Sequence, residues 1–338
     1  MSFVWLGIYL VLASLVVFLS LKLSNYVDLL DKKTKVSGAL LGGILLAGVT
    51  SLPELFTSLT GTIIVRDNSL VLGNIMGSDF FDLIIFGVVY FLFFKKFTQG
   101  KVGKQHYLTC LFAAVMIVVV TIAAFVLDKK GWLLGDFFNP MSFVIIGIYV
   151  LSVVLTPKVE EKEDKEEAQT NLTVKQIWVL LGICSVILIG ASISVTIVTE
   201  KVVNAFNIGH TFGGSLFLGV ATSLPEVTAT ISLCKKKNFD AAYGDIIGSC
   251  VFNLIILGIA DVFAFRAQPL YRINSDSLML IIGTLFSLLL LFISIVFIRS
   301  KFFKNDGKSR IFLYVISTLL IGSYLVYLTL ATIGVKLI

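Results

Sequence analysis

Apolar residues along this chain gather into blocks of roughly 20, about the length a helix needs to cross a ~30 Å hydrocarbon layer, and charged or turn-rich breaks separate them. Reading blocks against breaks predicts ten membrane-spanning helices near 3–23, 36–64, 69–94, 106–127, 141–156, 174–198, 211–234, 240–265, 275–298 and 311–334. Between the fifth and the sixth lies PKVEEKEDKEEAQTN (157–171), a charge-dense stretch with no apolar periodicity that reads as a solvated linker. The chain then divides into a first five-helix unit at 1–156, a charged linker at 157–173 and a second five-helix unit at 174–338.

Composition excludes a soluble globular domain, because 57% of the 338 residues are hydrophobic, 14% are charged and the mean hydropathy is +0.98. The formal charge of +6 does not indicate nucleic acid, since the basic residues form short clusters between apolar blocks, where they act as topology signals. Counted by alternate loops, 20 of the 27 Lys and Arg fall on the side that carries the linker. This bias predicts a cytoplasmic linker and extracellular termini for an integral membrane protein whose surroundings are the lipid bilayer. The first block has no basic region before it and no small-residue cleavage site, so it is expected to remain as the first span. Cys110, Cys184, Cys234 and Cys250 lie in or at the ends of apolar blocks without metal-type spacing and read as reduced packing residues.

The two units repeat each other. Thr50-Ser51-Leu52-Pro53-Glu54 recurs as Thr222-Ser223-Leu224-Pro225-Glu226. After each copy, Gly73-Asn74-Ile75-Met76-Gly77-Ser78-Asp79-Phe80-Phe81-Asp82 aligns without gaps with Gly244-Asp245-Ile246-Ile247-Gly248-Ser249-Cys250-Val251-Phe252-Asn253. Five spans is an odd number, so the second unit must enter the membrane from the opposite side. The expected fold is therefore an all-α membrane protein of ten transmembrane helices in two inverted-topology five-helix repeats, with a site near the midplane between them.

The repeated residues suit a hard cation. Proline offers no N–H to the carbonyl four residues back and crowds it, so Pro53 and Pro225 are expected to open their helices. Backbone oxygens would be freed around Ala47 to Thr50 and Gly219 to Thr222. Thr50 or Ser51 with Glu54, and their counterparts Thr222 or Ser223 with Glu226, stand three or four residues apart on one helix face. Oxygen-only sets of this kind hold hard cations. The second segment sets Asn74, Ser78 and Asp82, or Asp245, Ser249 and Asn253, in a stripe at i, i+4 and i+8. Gly73, Gly77, Gly244 and Gly248 would let neighbouring backbones approach those stripes closely.

A plainer reading stands beside each residue. A lone Ser or Thr in a membrane helix commonly bonds its own i−4 carbonyl, and a lone Pro or Gly commonly serves packing. A buried glutamate is different, because an ionisable group in hydrocarbon costs a few kcal/mol or more without water, a partner or an ion, which sets Glu54 and Glu226 first and Asp82 next. Asp79 falls at the edge of its stripe, and Asp245 falls near a helix end where it would cap or meet water, so a role in the site and a plainer one are equally open for both. Asp28, Asp261, His106 and His210 fall near the expected interfaces, where solvation explains them.

Paired TSLPE motifs followed by G-x-x-x-G-S-x-x-x-[ND] segments resemble the two α-repeats of the cation/Ca²⁺ exchanger superfamily, most closely its prokaryotic sodium/calcium exchanger branch. The resemblance covers both halves. It implies that the second, third, seventh and eighth helices surround the ions in a prokaryotic plasma-membrane antiporter, with the first and sixth helices sliding across the other eight. It further implies paired ligand glutamates at Glu54 and Glu226, and hydroxyl and carbonyl ligands at Thr50, Ser51, Thr222 and Ser223. The remaining ligand positions match Ser78, Ser249, Asp82 and Asn253. Two departures stand out: Asp79 and Cys250 occupy a position that is commonly Asn, and Asp82 and Asn253 are exchanged relative to the usual order of Asn and then Asp.

The expected activity is exchange of Ca²⁺ for Na⁺ by alternating access, with no cofactor, no nucleic acid and no obligate protein partner. Three ionised carboxylates at Glu54, Glu226 and Asp82 would be neutralised by three Na⁺ and left at −1 by one Ca²⁺, so the two ions compete for one set of oxygens. H⁺/Ca²⁺ exchange is the alternative, since close carboxylates can share protons, and a K⁺-dependent variant is also open. A Ca²⁺ channel would conduct without a counter-ion gradient. No nucleophile and base pair accompanies the carboxylates, which argues against an intramembrane enzyme.

Overall fold

The computed structural model describes residues 2–33, 50–97, 102–126, 139–156, 170–264, 270–271, 274–300, 302–303 and 306–335. Among these residues the chain forms ten helices and no strand. They are α1 (Ser2–Lys33), α2 (Leu52–Val65), α3 (Asn68–Phe97), α4 (Gln105–Val126), α5 (Pro140–Leu155), α6 (Val174–Phe206), α7 (His210–Lys235), α8 (Phe239–Phe263), α9 (Ser275–Arg299) and α10 (Gly307–Ile333). Each corresponds to one expected span. Eight are long and apolar enough to cross a membrane, and α2 and α5 are shorter apolar helices. Ala47, the start of the second expected span and linker residues 157–169 lie outside the described residues.

Local chemistry sets several helix ends. Thr173 and Gln176 form a reciprocal capping box at the start of α6, and Asn274 with Ser277 does the same for α9. Asn139 accepts from the Met141 N–H ahead of α5, where Pro140 supplies a first-turn residue with no N–H to satisfy. At its far end α6 stops on Asn207 in the left-handed conformation at φ 54°, a state asparagine tolerates better than most residues.

Two apolar clusters hold the helices together. Val16, Leu19, Leu23, Val27 and Leu30 of α1 pack along Leu181, Leu188, Val195 and Val202 of α6, and Leu70 of α3 with Leu218 and Ala221 of α7 joins the same cluster. A larger cluster, centred on Phe80, Phe86 and Tyr90 of α3 and Tyr243, Ile247 and Leu254 of α8, unites α3, α4, α8, α9 and α10. Outward-facing Val11, Val154, Val186 and Val326 are more than half exposed, as a surface solvated by lipid requires.

Small residues bring α3 and α7 into backbone contact, as their spacing predicts. A methyl group on Gly73 would overlap the Thr211 carbonyl, one on Gly77 would overlap Ser215, and one on Gly214 would overlap the Leu70 carbonyl. The second-repeat equivalents behave differently: a methyl on Gly244 would meet only the His106 ring, at 3.6 Å, and one on Gly248 would meet nothing within 4 Å among the described residues. The sequence equivalent of the start of α7, residues 38–47, lies outside those residues.

Proline does not open α7 where its position predicts. The helix runs through Pro225 from Val220 to Lys235, and the irregularity lies upstream as a widened π turn over Gly214–Gly219. Thr222 turns its hydroxyl back onto the Leu218 carbonyl at 3.0 Å, the bond to the i−4 carbonyl that Thr commonly makes in a helix. In α2, Pro53 sits in the first turn, where its missing N–H costs nothing, and the π turn lies downstream at Gly61–Val65.

Candidate functional site

The four motif-bearing helices meet at the centre of the bundle. Glu54 and Glu226 are each 1% exposed, Asp82 is 0% and Asn253 is 1%, so the acids stand at full burial inside an apolar protein. Thr50, Ser51, Ser78, Thr222 and Ser223 are buried with them, whereas Ser249 is half-buried. Ala47 falls outside the described residues.

The second repeat's hydroxyls connect the halves. Ser78 of α3 donates to the Gly219 carbonyl of α7 at 3.2 Å and lies 3.3 Å from the Thr222 hydroxyl. Gly219 permits this approach, since a Cβ there would stand 2.9 Å from the Ser78 nitrogen. Thr222 lies alongside Glu54 and Ser223 alongside Asp82, so each hydroxyl of the second TSLPE copy faces an acid of the first repeat.

Two tethers obey the internal two-fold. Asn74 of α3 donates to Ser58 of α2 at 3.2 Å and to Thr57 at 3.0 Å, and at the equivalent place Thr230 of α7 donates to Asp245 of α8 at 2.9 Å. Geometry is repeated while charge is not, because the amide of one half is an acid in the other. Thr57 and Thr60 bond carbonyls of their own helix, the ordinary packing behaviour of such residues.

Unpartnered oxygens mark the middle of the cluster. Glu54 Oε2, both oxygens of Glu226, both oxygens of Asp82, Asp79 Oδ2, Asn253 Oδ1, Asn74 Oδ1 and the Ser223 hydroxyl are buried without a hydrogen-bond partner among the described residues. Buried polar atoms are almost always bonded, so such a concentration asks for a ligand, water or protons. Glu54, Asp79, Asp82, Asp245 and Glu226 feel one another's charge, and no Lys, Arg or His among the described residues is ion-paired with any of them. In this conformation no three of the His, Cys, Asp and Glu side chains among the described residues converge closely enough to hold a metal between them. The geometry is an oxygen-lined acidic centre, with its carboxylates gathered but not closed around one point.

Several polar residues had no assigned role in the sequence. Asp79 is fully buried and accepts from Asn253 Nδ2 at 2.9 Å, not at the margin of its stripe. Asp261 is buried, accepting from the Asn139 N–H at 2.9 Å and the Ser142 hydroxyl at 2.6 Å, and so ties α5 to the end of α8. His106 is buried 2.8 Å from Asp240, and His210 contacts Asp67 in front of α3. Solvation does not account for Asp261 or His106. Spacing carried no signal for these pairs, since each joins helices far apart in the chain.

Inverted five-helix halves, a lipid-facing exterior and a buried acidic centre define a membrane transporter for cations. The chain belongs to the sodium/calcium exchanger protein family, whose profile matches residues 4–156 and 175–333. It is 26% identical over 256 residues to the inner membrane protein YrbG of Escherichia coli (strain K12), covering 71% of this chain and 74% of that one. Its fold is that of the H⁺/Ca²⁺ exchanger CAX, with a TM-score of 0.63 at 14% identity over 97% of this chain and 88% of that one. The sodium-calcium exchanger NCX_Mj superposes with a TM-score of 0.54 at 20% identity over 96% of this chain and 99% of that one. Family and fold are those of ion exchangers, not enzymes.

Proposed function

We propose that this protein exchanges Ca²⁺ for Na⁺ at the acidic centre, with Glu54, Glu226 and Asp82 supplying charge. Thr50, Ser51, Ser78, Thr222, Ser223, Ser249, Asn253 and the carbonyls of Ala47 and Gly219 supply neutral oxygens. The observation that carries the reading is the set of buried carboxylate oxygens of Glu54, Asp82 and Glu226, drawn from both repeats and without a partner among the described residues. Hard cations of one or two charges are the ligands that such oxygens accept. Na⁺ and Ca²⁺ would compete there, because either discharges the same carboxylates.

Alternating access follows from the same charges. An empty centre leaves its carboxylates uncompensated, and occluding it in low dielectric is unfavourable, whereas a loaded centre carries less net charge. The long apolar seam between α1 and α6 supports their movement as one unit against the other eight helices. The distribution of Lys and Arg supports a cytoplasmic linker.

A second reading is H⁺/Ca²⁺ exchange. Asp79 and Asp245 add two acids to the three, and five carboxylates exceed the charge of three Na⁺ or of one Ca²⁺. Protons are the simplest remaining balance. Ca²⁺-loaded proteoliposomes exposed separately to a Na⁺ gradient and to a pH gradient decide between them. Ca²⁺ release driven by Na⁺ alone supports the first reading, release driven by protons alone replaces it with the second, and release with neither gradient indicates a channel.

A further inference from the structure

The centre departs from two-fold symmetry in two linked places. Position 79 corresponds to 250 and position 82 to 253, so the first repeat presents two acids where the second presents a thiol and an amide. Across the α3–α8 contact, Asn253 Nδ2 donates to Asp79 Oδ1 at 2.9 Å, and the Cys250 thiol lies 3.9 Å from the Asp79 main-chain carbonyl. Asp79 and Asn253 are 0% and 1% exposed. The other end of the Asn253 amide, Oδ1, is buried without a partner among the described residues, as are both oxygens of Asp82.

We propose that Asp79 is a positioning residue, one that turns the Asn253 side chain so that its carbonyl oxygen faces the transported cation. This rests on the cation reading above. An amide has a donor end and an acceptor end, and only the acceptor end can coordinate a cation. Turned through 180°, Asn253 would set its oxygen against Asp79 Oδ1, acceptor against acceptor, and would aim its NH₂ group at the cation. A carboxylate has two equivalent oxygens and needs no such orientation. That is the situation of Asp82, and the position that mirrors Asp79 across the two-fold is Cys250, which brings no formal charge. A second acid there would add like charge to the cluster. The substitutions at 79, 82, 250 and 253 are on this account one arrangement: the exchanged amide carries its own orienting acid, and the exchanged acid does without one.

The test is calorimetry of CaCl₂ binding to the purified full chain, run as a double-mutant cycle over 79 and 253. Asp79→Ala is expected to weaken Ca²⁺ binding by about 10- to 100-fold, as loss of a partner behind a metal ligand does. Asp79→Asn, whose carbonyl can still accept from Asn253, keeps most of the affinity. In Asp79→Ala/Asn253→Asp the carboxylate at 253 needs no orientation, so this double variant binds more tightly than Asp79→Ala alone. A double variant as weak as Asp79→Ala, or an Asp79→Ala that binds like the parent, overturns the proposal. Should Asp79→Ala not be recovered folded, Asp79→Leu runs the same cycle. A parent chain that does not bind Ca²⁺ at all removes the cation reading itself, and that result is read before any variant is made.

Discussion

Tyr9 of α1 donates its hydroxyl to the main-chain carbonyl of Phe217, inside the widened turn of α7, at 2.7 Å, and the two rings meet edge to face at 5.1 Å. This bond joins the two-helix unit to the strand of backbone that ends at Gly219, whose carbonyl faces Ser78. The proposed movement of α1 and α6 against the remaining helices would break it. A single hydrogen bond is worth about 0.5–1.5 kcal/mol net. Tyr9→Phe is expected to raise the maximal exchange rate by up to about tenfold, with the half-saturating Ca²⁺ concentration little changed. A lower rate, measured as ⁴⁵Ca²⁺ flux in proteoliposomes, would show that the bond instead favours the moving state.

Glu54→Gln and Glu226→Gln separate function from stability. Each keeps the shape of the side chain while removing a charge that has no basic partner among the described residues. Ca²⁺ flux is expected to be abolished in both. The ion-free thermal midpoint should stay level or rise, since like charges in a buried cluster destabilise it. Saturating Ca²⁺ at about 100 times Kd should stabilise the parent by about 2.7 kcal/mol and these variants by far less. Unchanged flux in either variant removes that glutamate from the site.

Gly73→Ala and Gly77→Ala each place a methyl group where α7 already stands. Overpacking of this kind costs about 1–3 kcal/mol, and more where backbone is the obstacle. Both are expected to lower the thermal midpoint and the yield of folded protein. Gly182→Ala on the exposed face of α6 meets nothing within 4 Å and is expected to be neutral or slightly stabilising. Equal midpoints for all three would contradict the close α3–α7 contact.

Asp261 lies outside the acidic centre and is a test of the reverse kind. Removing its carboxylate strands the Asn139 N–H and the Ser142 hydroxyl, although Ser142 also lies 2.8 Å from the Tyr271 hydroxyl. Asp261→Ala should destabilise by about 1–3 kcal/mol. Its preference between Na⁺ and proton gradients should match that of the parent, a comparison that vesicle flux supplies directly.

The number of helices and their pairing into two inverted halves are legible in the sequence because lipid demands long apolar windows and the motifs repeat in register. Glu54, Glu226, Asp82 and the hydroxyls beside them are legible for a related reason: buried polar atoms are rare enough in hydrocarbon to stand out. The widened turn at Gly214–Gly219 was not, since GGSLFLG looks like ordinary helix and the tempting signal, Pro225, lies beyond it. Nor was the Asp79–Asn253 bond. Which side chain of α3 meets which side chain of α8 depends on how the two helices are rotated about their axes, and periodicity within one helix does not fix that. Asp261 and His106 stand near span ends, where the sequence predicts solvation, yet partners from other helices cover them.

The two tethers Asn74–Ser58 and Asp245–Thr230 occupy matching places but differ by one formal charge. Asn74 is buried, and Asp245 is partly open. On the proposed reading, a cation that passes Asp245 meets an acid and one that passes Asn74 meets a neutral amide. Vesicles of opposite sidedness are then expected to differ in initial flux, and Asp245→Asn is expected to even them out.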